Sequence, residues 1–258
     1  MRLSFEKWEG LGNDFVLVRD REAGLAIGSD LVRRICDRRH GVGADGVLVV
    51  GDSPAEMVVL NADGSRPEMC GNGLRCVAAL LAGGSAKDIA VKTDAGERVA
   101  RVSWTGPDEA LVEVEMGRAE IGPVSRQAWG GREITFGAVS VGNPHAITFD
   151  AVAGDEREGL GRHVERTTPG GTNVEFARQT APDGFEVVVW ERGVGFTQAC
   201  GTGACATAAL ACVSGAASYG VPVRVALPGG ELAIHVSASL EIVMLGPARR
   251  VFRGNLEV

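Results

Sequence analysis

Two turns of this chain carry the residues best suited to chemistry. The first reads Glu68-Met69-Cys70-Gly71-Asn72-Gly73-Leu74-Arg75-Cys76 and the second Gln198-Ala199-Cys200-Gly201-Thr202-Gly203-Ala204-Cys205. Each sets a cysteine before two glycines, at +1 and +3, and an apolar, Ala-rich stretch follows. Glycine lets the backbone turn sharply into a helix, so that the first N–H groups point outward and form a seat for an anion. A thiol at that position faces the same N–H groups and the positive end of the helix dipole. The expected effect is a thiol pKa lowered from about 8.5 toward roughly 3.5–7.5. Each turn therefore pairs a reactive sulfur with a seat for a carboxylate.

Other uses of these residues fit less well. A zinc site drawn from Cys70, Cys76, Cys200 and Cys205 would need C-x5-C and C-x4-C spacings, with two ligands lying on helices beyond the turns. Neither G-x-x-x-x-G-K-[ST] nor a G-x-G-x-x-G βαβ unit is present, which argues against a nucleotide phosphate loop. Cys36, Cys76, Cys205 and Cys212 lie in apolar helical settings and read as ordinary buried thiols.

Inverting a stereocentre beside a carboxylate needs a base on one face of the carbon and an acid on the other. Two equivalent thiols, one entering as thiolate and one as thiol, satisfy that need. The α-proton is weakly acidic, so the carbanion must be stabilised strongly, here by helix N-termini in a dry site. No lysine stands in a pyridoxal-type context, and the reading is a cofactor-independent route with no metal.

The two cysteines occupy the same place in an internal repeat. Along the shift that carries Cys70 onto Cys200, Gly12-Asn13 falls on Gly142-Asn143, Asn61 on Glu191, Gly73 on Gly203, and Val77-Ala78-Ala79-Leu80 on Thr207-Ala208-Ala209-Leu210. The expectation is two homologous halves joined near Ile121-Gly122-Pro123. The repeat also picks out polar residues. Asn13, Asn143 and Asn173 lie in Gly-rich loops, while Asn61 and Glu191 each stand nine residues before a key cysteine. An amide offers donor and acceptor without net charge, which suits a zwitterion, and Arg192 suits a bidentate carboxylate contact. His145 is open between an ordinary loop residue and a group that helps to deprotonate a thiol.

Positioning these residues calls for many strands. Val- and Ile-rich runs bounded by Gly, Asp or Pro predict strands at Phe15–Val18, Gly46–Val50, Met57–Asn61, Ile89–Lys92, Val99–Ser103 and Ala110–Met116. The second half predicts Ile134–Val141, Ala146–Phe149, Phe185–Trp190, Val223–Ala226, Glu231–Val236 and Leu240–Leu245. Helices are expected at Asp30–Asp37 behind a Ser-Asp cap, at Leu74–Ala82 and at Ala204–Ala211. Many strands with few helices give an α+β fold.

The totals exclude several classes. The 258 residues carry 45% hydrophobic and 23% charged side chains and a net charge of -7, ordinary for a globular protein and unlike a nucleic-acid footprint. The basic run Arg33, Arg34, Arg38, Arg39 reads as a solvated helix face. No apolar run reaches membrane length and no secretory leader is read, so no membrane partner is expected. Six sparse cysteines are expected to be thiols in a reducing cytoplasm.

Taken together, Asn61-Ala62-Asp63-Gly64-Ser65, the Met69 to Cys76 turn, Gly142-Asn143-Pro144-His145, Glu191-Arg192-Gly193 and the Ala199 to Ala204 turn resemble the diaminopimelate epimerase family. Gly10-Leu11-Gly12-Asn13-Asp14-Phe15 and the Arg39 to Gly46 segment fit as well. The resemblance spans nearly the whole chain. It implies interconversion of LL- and meso-diaminopimelate for lysine and cell-wall synthesis, without metal or pyridoxal phosphate, in a cytoplasmic homodimer. It implies two pseudo-symmetric domains, each a mixed, mostly antiparallel sheet around a central helix, with the active site between them. Their bounds would be residues 1–121 with a C-terminal strand at 247–258 returning to them, and residues 122–246. By motif, Cys70 and Cys200 resemble the base and acid. Gly71-Asn72 and Gly201-Thr202 resemble the carboxylate seats, and Asn13, Asn61, Asn143, Asn173, Glu191 and Arg192 the substrate contacts. His145 and Glu191 resemble residues that assist the cysteines. Two departures are visible: Gly46 stands where some members carry Gln, and Phe196 where many carry an acid. The rival readings are a proline or hydroxyproline racemase, which also uses two cysteines, and a small-acid-binding relative without catalysis.

Overall fold

The Val- and Ile-rich runs form strands because branched side chains pack well on a pleated, half-buried surface. In a computed structural model, residues 2–19 and 27–257 are described. The chain forms two compact units, Met1–Glu115 with Leu245–Val258, and Met116–Met244. Among the described residues, no helix is long and apolar enough to cross a membrane.

Unit 1 opens with β1 (Arg2–Gly10), β2 (Asn13–Arg19) and α1 (Ser29–Cys36). It continues through β3 (Gly46–Asp52), β4 (Ala55–Asn61), α2 (Gly71–Ala82), β5 (Lys87–Thr93) and β6 (Gly96–Trp104) into β7 (Glu109–Arg118). Strands β1 to β7 are neighbours in chain order; β2 and β3 run parallel, as do β4 and β5, while the other pairs are antiparallel. The last strand of the chain, β16 (Glu241–Glu257), enters this unit and pairs antiparallel with β1 from Arg2↔Glu257 to Glu9↔Arg249. Arg250 N–H donates to the Asp108 carbonyl just ahead of β7, at 2.8 Å. The sheet of unit 1 thus wraps round α2, which touches each of β1 to β6. That helix is buried from Gly71 to Leu80 and ends on Gly83, whose φ of 61° is the left-handed cap that glycine adopts without strain.

Unit 2 holds β8 (Glu120–Trp129), β9 (Arg132–Ser140), β10 (Pro144–Thr148) and α3 (Arg157–Thr167), then β11 (Asn173–Ala181), β12 (Gly184–Glu191) and the short β13 (Gly195–Phe196). It ends with α4 (Gly201–Val213), β14 (Val223–Leu227) and β15 (Gly230–Val236). Its strand order is β15-β14-β12-β11-β10-β9-β8, with parallel pairing at β10–β11 and β12–β14. Helix α4 touches β9, β10, β11, β14 and β15, and ten of its residues are buried. A helix apolar on every side is stable only when enclosed, and the strands of its own unit enclose it.

Several elements differ from the sequence expectation. Helices α2 and α4 begin at Gly71 and Gly201, three residues earlier than expected, because each glycine turn is itself the first helical turn. The Ser-Asp cap does not form. Gly28 is the N-cap of α1 with no side-chain cap bond, and Ser29 Oγ donates instead to the Gly64 carbonyl. Strands β1, β8, β11 and the short β13 and helix α3 were not expected. In β1, Leu3 and Phe5 are buried between more exposed residues, while Lys7 and Trp8 are buried side by side, and α3 buries only Leu160, Gly161 and Val164. The expected strands at Leu240–Leu245 and 247–258 fall on one 17-residue strand, Glu241–Glu257, which leaves out Leu240; Val258 lies outside the described residues.

Arg75 ties the start of α2 to the returning strand. It is fully buried, and it donates from Nε to the Pro247 carbonyl and from Nη2 to Asn72 Oδ1, both at 3.0 Å. Arg75→Met keeps the apolar stem but leaves the buried Asn72 Oδ1 and the half-buried Pro247 carbonyl without that donor, each worth about 1–3 kcal/mol. The expected loss is about 3 kcal/mol in urea unfolding; a loss under about 1 kcal/mol would show that the guanidinium is not holding the strand.

Candidate active site

In unit 1 the candidate residues are built on the N-terminus of α2. Cys70 is the N-cap in extended backbone, φ -139° and ψ 112°, and Gly73 N–H donates to its Sγ at 3.4 Å. Gly71 is the first helical residue. The buried Asn72 donates from Nδ2 to Asn13 Oδ1 at 3.2 Å, and the same Asn13 oxygen lies 4.0 Å from Cys70 Sγ. Asn13 is held from its other end, since its Nδ2 donates to Asp45 Oδ2 at 2.8 Å. Asp45 also accepts from Asp14 N–H at 3.0 Å and from Arg38 at 2.8 Å. Burial pushes the Asp14 carboxyl up, but hydrogen bonds from Arg38 and Lys7 outweigh it, and its pKa falls below the ordinary 3.8. Asn61 closes β4 opposite Gly46 and donates from Nδ2 to Ser65 Oγ at 3.0 Å. Gly46 has no room for a side chain as the strands stand: a Cβ there would lie 2.7 Å from the Leu60 carbonyl oxygen.

Unit 2 repeats the design on α4. Cys200 is the N-cap at φ -122° and ψ 107°, with Gly203 N–H donating to Sγ at 3.4 Å. Gly201 opens the helix, and Thr202 Oγ1 lies 3.5 Å from the same sulfur. Asn143 Nδ2 donates to Thr202 Oγ1 at 3.3 Å, and Asn143 Oδ1 lies 3.0 Å from His145 Nε2. His145 starts no loop; it is a buried residue of β10, facing Asn173 in parallel register with β11. Asn173 donates from Nδ2 to the Pro144 carbonyl at 3.1 Å and accepts from Arg192 N–H at 2.9 Å. Glu191 closes β12 and accepts from Thr197 Oγ1 at 2.6 Å. The Arg192 guanidinium donates to the Gly170 carbonyl at 2.9 Å. Phe196 is 46% exposed and stands edge-on to Trp190 at 5.2 Å between centroids.

One expectation is overturned. The turn geometry predicts a lowered thiol pKa, but Cys200 is pushed well above the ordinary value of 9.0. Burial contributes most, then the negative charges of Glu191 and Glu175; the bonds from Thr202 and Gly203 pull the other way and do not prevail. The helix terminus is present, but it acts on a sulfur cut off from water and flanked by two acids.

Two residues of this constellation were not singled out from sequence, Asp45 and Glu175. Glu175 is fully buried and bonds His145 Nδ1 through Oε1 at 2.7 Å. A signal existed: in Asn173-Val174-Glu175-Phe176-Ala177 an acid interrupts a strand buried at all five positions. Among the described residues no group of three His, Cys, Asp or Glu side chains is placed to hold a metal ion.

Solved structures share this fold at low identity. A hydroxyproline epimerase from Agrobacterium vitis is 15% identical with a TM-score of 0.74, covering 99% of this chain and 91% of that one. A predicted epimerase from Pseudomonas aeruginosa is 16% identical with a TM-score of 0.74, covering 99% of both chains. The fold is that of this group of epimerases and racemases. Sequence comparison narrows the group. The family model for diaminopimelate epimerase matches residues 5–122 and 137–251. The diaminopimelate epimerase of Desulforudis audaxviator is 44% identical over 98% of both chains. That of Synechococcus elongatus is 40% identical over 100% of this chain and 99% of the relative. The chain belongs to the diaminopimelate epimerase family, and it is an isomerase, an amino-acid epimerase.

Proposed function

We propose that the chain interconverts LL- and meso-diaminopimelate by proton transfer between two cysteines and the α-carbon, with neither metal nor pyridoxal phosphate. The observation that carries this reading is the duplicated cap: Cys70 and Cys200 each accept from the glycine N–H three residues on, at 3.4 Å in both cases. The thiolate of one removes the α-proton, and the thiol of the other returns a proton from the opposite face. Gly71-Asn72 and Gly201-Thr202 offer N–H groups to the α-carboxylate, where negative charge develops as the proton leaves. Asn13, Asn61, Asn143, Asn173, Glu191 and Arg192 recognise the rest of the zwitterion. His145 and Glu191 tune the cysteines. The two halves, which the resemblance bounds at residues 1–121 with 247–258 and at residues 122–246, are duplicated copies of one design. The protein works as a cytoplasmic homodimer in lysine and cell-wall synthesis.

The test is turnover of LL-diaminopimelate by purified protein in heavy water. Early in the reaction, deuterium is expected in the meso product while recovered LL substrate stays unlabelled, because different groups take and return the proton. Turnover of proline or hydroxyproline instead would overturn the substrate. Label appearing equally in recovered substrate would overturn the two-base reading.

A further inference from the structure

The two halves differ at one buried place. In unit 1, a Cβ added to Gly73 would lie 3.1 Å from Leu48 Cδ1; in unit 2, a Cβ added to Gly203 would lie 2.6 Å from Glu175 Oε1. Strand register makes the same equation. Phe15 pairs with Gly46, and Val47 with Leu60; His145 pairs with Asn173, and Val174 with Trp190. Leu48 and Glu175 are therefore equivalent positions, as are Phe15 and His145. All four are buried, with exposures of 0 to 3%.

The same fold thus fills this place with an apolar pair in one half and an ionisable pair in the other. Packing does not require the second arrangement, since the first satisfies it. An ion pair at full burial costs desolvation that apolar side chains avoid. Glu175 Oε2 is buried with no hydrogen-bond partner among the described residues, which adds to that cost. The pair is therefore present for a reason other than stability.

What the pair reaches is the Cys200 sulfur. Contacts run without a gap from Glu175 Oε1 to His145 Nδ1 (2.7 Å), from His145 Nε2 to Asn143 Oδ1 (3.0 Å), from Asn143 Nδ2 to Thr202 Oγ1 (3.3 Å), and from Thr202 Oγ1 to Cys200 Sγ (3.5 Å). We propose that Glu175 is a positioning residue that holds a proton on His145 Nδ1, so that Nε2 is coupled through Asn143 and Thr202 to the charge on Cys200. This rests on reading Cys200 as one of the two proton-transfer thiols.

The coupling follows from donor and acceptor rules. In the orientation observed, Nε2–H donates to Asn143 Oδ1, Nδ2–H donates to Thr202 Oγ1, and the threonine O–H is left to donate to sulfur. Every link points toward Cys200 and favours a thiolate, with the imidazolium charge neutralised by Glu175. With the Asn143 amide turned over, every link reverses: S–H donates to Thr202, Thr202 to Asn143, and Asn143 to a bare Nε2. That polarity favours a thiol and a neutral imidazole. The chain thus links charge on sulfur to charge on the ring, provided Nδ1 keeps its proton, and only a carboxylate enforces that. Unit 1 has Phe15 and Leu48 in these places, so this control is confined to the second half.

The experiment pairs Glu175→Gln with the double variant His145→Phe, Glu175→Leu, which copies unit 1. Nitrogen-15 NMR of the histidine side chains is recorded without substrate, the His145 signals being assigned by their loss in the double variant. In the parent protein Nδ1 is expected to be protonated; in Glu175→Gln that preference is expected to disappear, with kcat at least about tenfold lower and KM nearly unchanged. The double variant is expected to fold and unfold in urea like the parent, and to lose kcat by about the same factor. An unchanged His145 spectrum or an unchanged kcat in Glu175→Gln overturns the proposal. So does a double variant that is fully active or that does not fold. Failure of the parent protein to epimerise diaminopimelate would sink the substrate reading, and the nitrogen spectrum would still decide the role of Glu175.

Discussion

Serine in place of Cys70 or of Cys200 is expected to lower kcat for epimerisation by about a thousandfold or more while leaving the fold intact. General acid–base catalysis contributes about 10²–10⁴ in rate, and an alcohol, far weaker as an acid than a thiol, can neither take nor return the proton at neutral pH. The structure supplies the control for folding. Both cysteines are helix N-caps that accept one N–H bond, from Gly73 and Gly203, and serine is among the preferred residues for that role. Each variant should therefore match or exceed the parent in urea midpoint. Retention of more than about a tenth of kcat in either variant would remove that cysteine from the proton path.

Stability should fall steeply in alkali. The buried Cys36, Cys76, Cys200 and Cys212 all have thiol pKa values raised above the ordinary 9.0, that of Cys36 to about 11. Burial is the first cause for each; Glu191 and Glu175 add to it at Cys200. The sign follows from which state loses its proton first. Above about pH 9 the unfolded chain releases these protons while the folded chain keeps them, so the folded state binds more. The stabilisation is fully present below the unfolded pKa and is lost as pH rises toward the folded value. Each such thiol contributes about 1.4 kcal/mol per pH unit between its unfolded and folded pKa, so removing one lowers the slope by about that amount. Urea unfolding of the parent and of Cys76→Ala between pH 8 and 10.5 checks this. The expected result is a slope in the variant lower than that of the parent by about 1.4 kcal/mol per pH unit; equal slopes would mean that Cys76 ionises alike in both states.

The residues that open the two helices were legible because their chemistry is local. Cys-Gly-x-Gly is a turn and a cap at once, and its duplication located the start of the central helix in each unit. Strands such as Gly46–Asp52 and Gly184–Glu191 were legible because one branched apolar run is a strand in almost any setting. What was missed depends on partners far along the chain. Strand β1 carries charged residues at Glu6, Lys7 and Glu9, and Lys7 is buried because Gly43 and Asp14 receive its ammonium group. Helix α3 has a narrow apolar side that only Ile134, Phe136 and Trp190 make sufficient. The raised pKa of Cys200 was unreadable for the same reason. The turn predicts the helix terminus, while Glu175 becomes a neighbour only once β11 lies beneath α4.

The return of β16 to β1 has a consequence for the order in which the chain is made. Unit 2 is one continuous segment, Met116–Met244, and every strand it needs has been synthesised before the last 14 residues emerge. Unit 1 is split, and the residues that pair along β1 from Arg2 to Glu9 lie at Arg249 to Glu257. Until those arrive, β1 offers an open edge, with Leu3, Phe5 and Trp8 lacking part of their cover. On the ribosome the later-coded unit can therefore close first, and the first-coded one waits with an unpaired strand. The half that carries Cys70 is the one exposed to mispairing during synthesis.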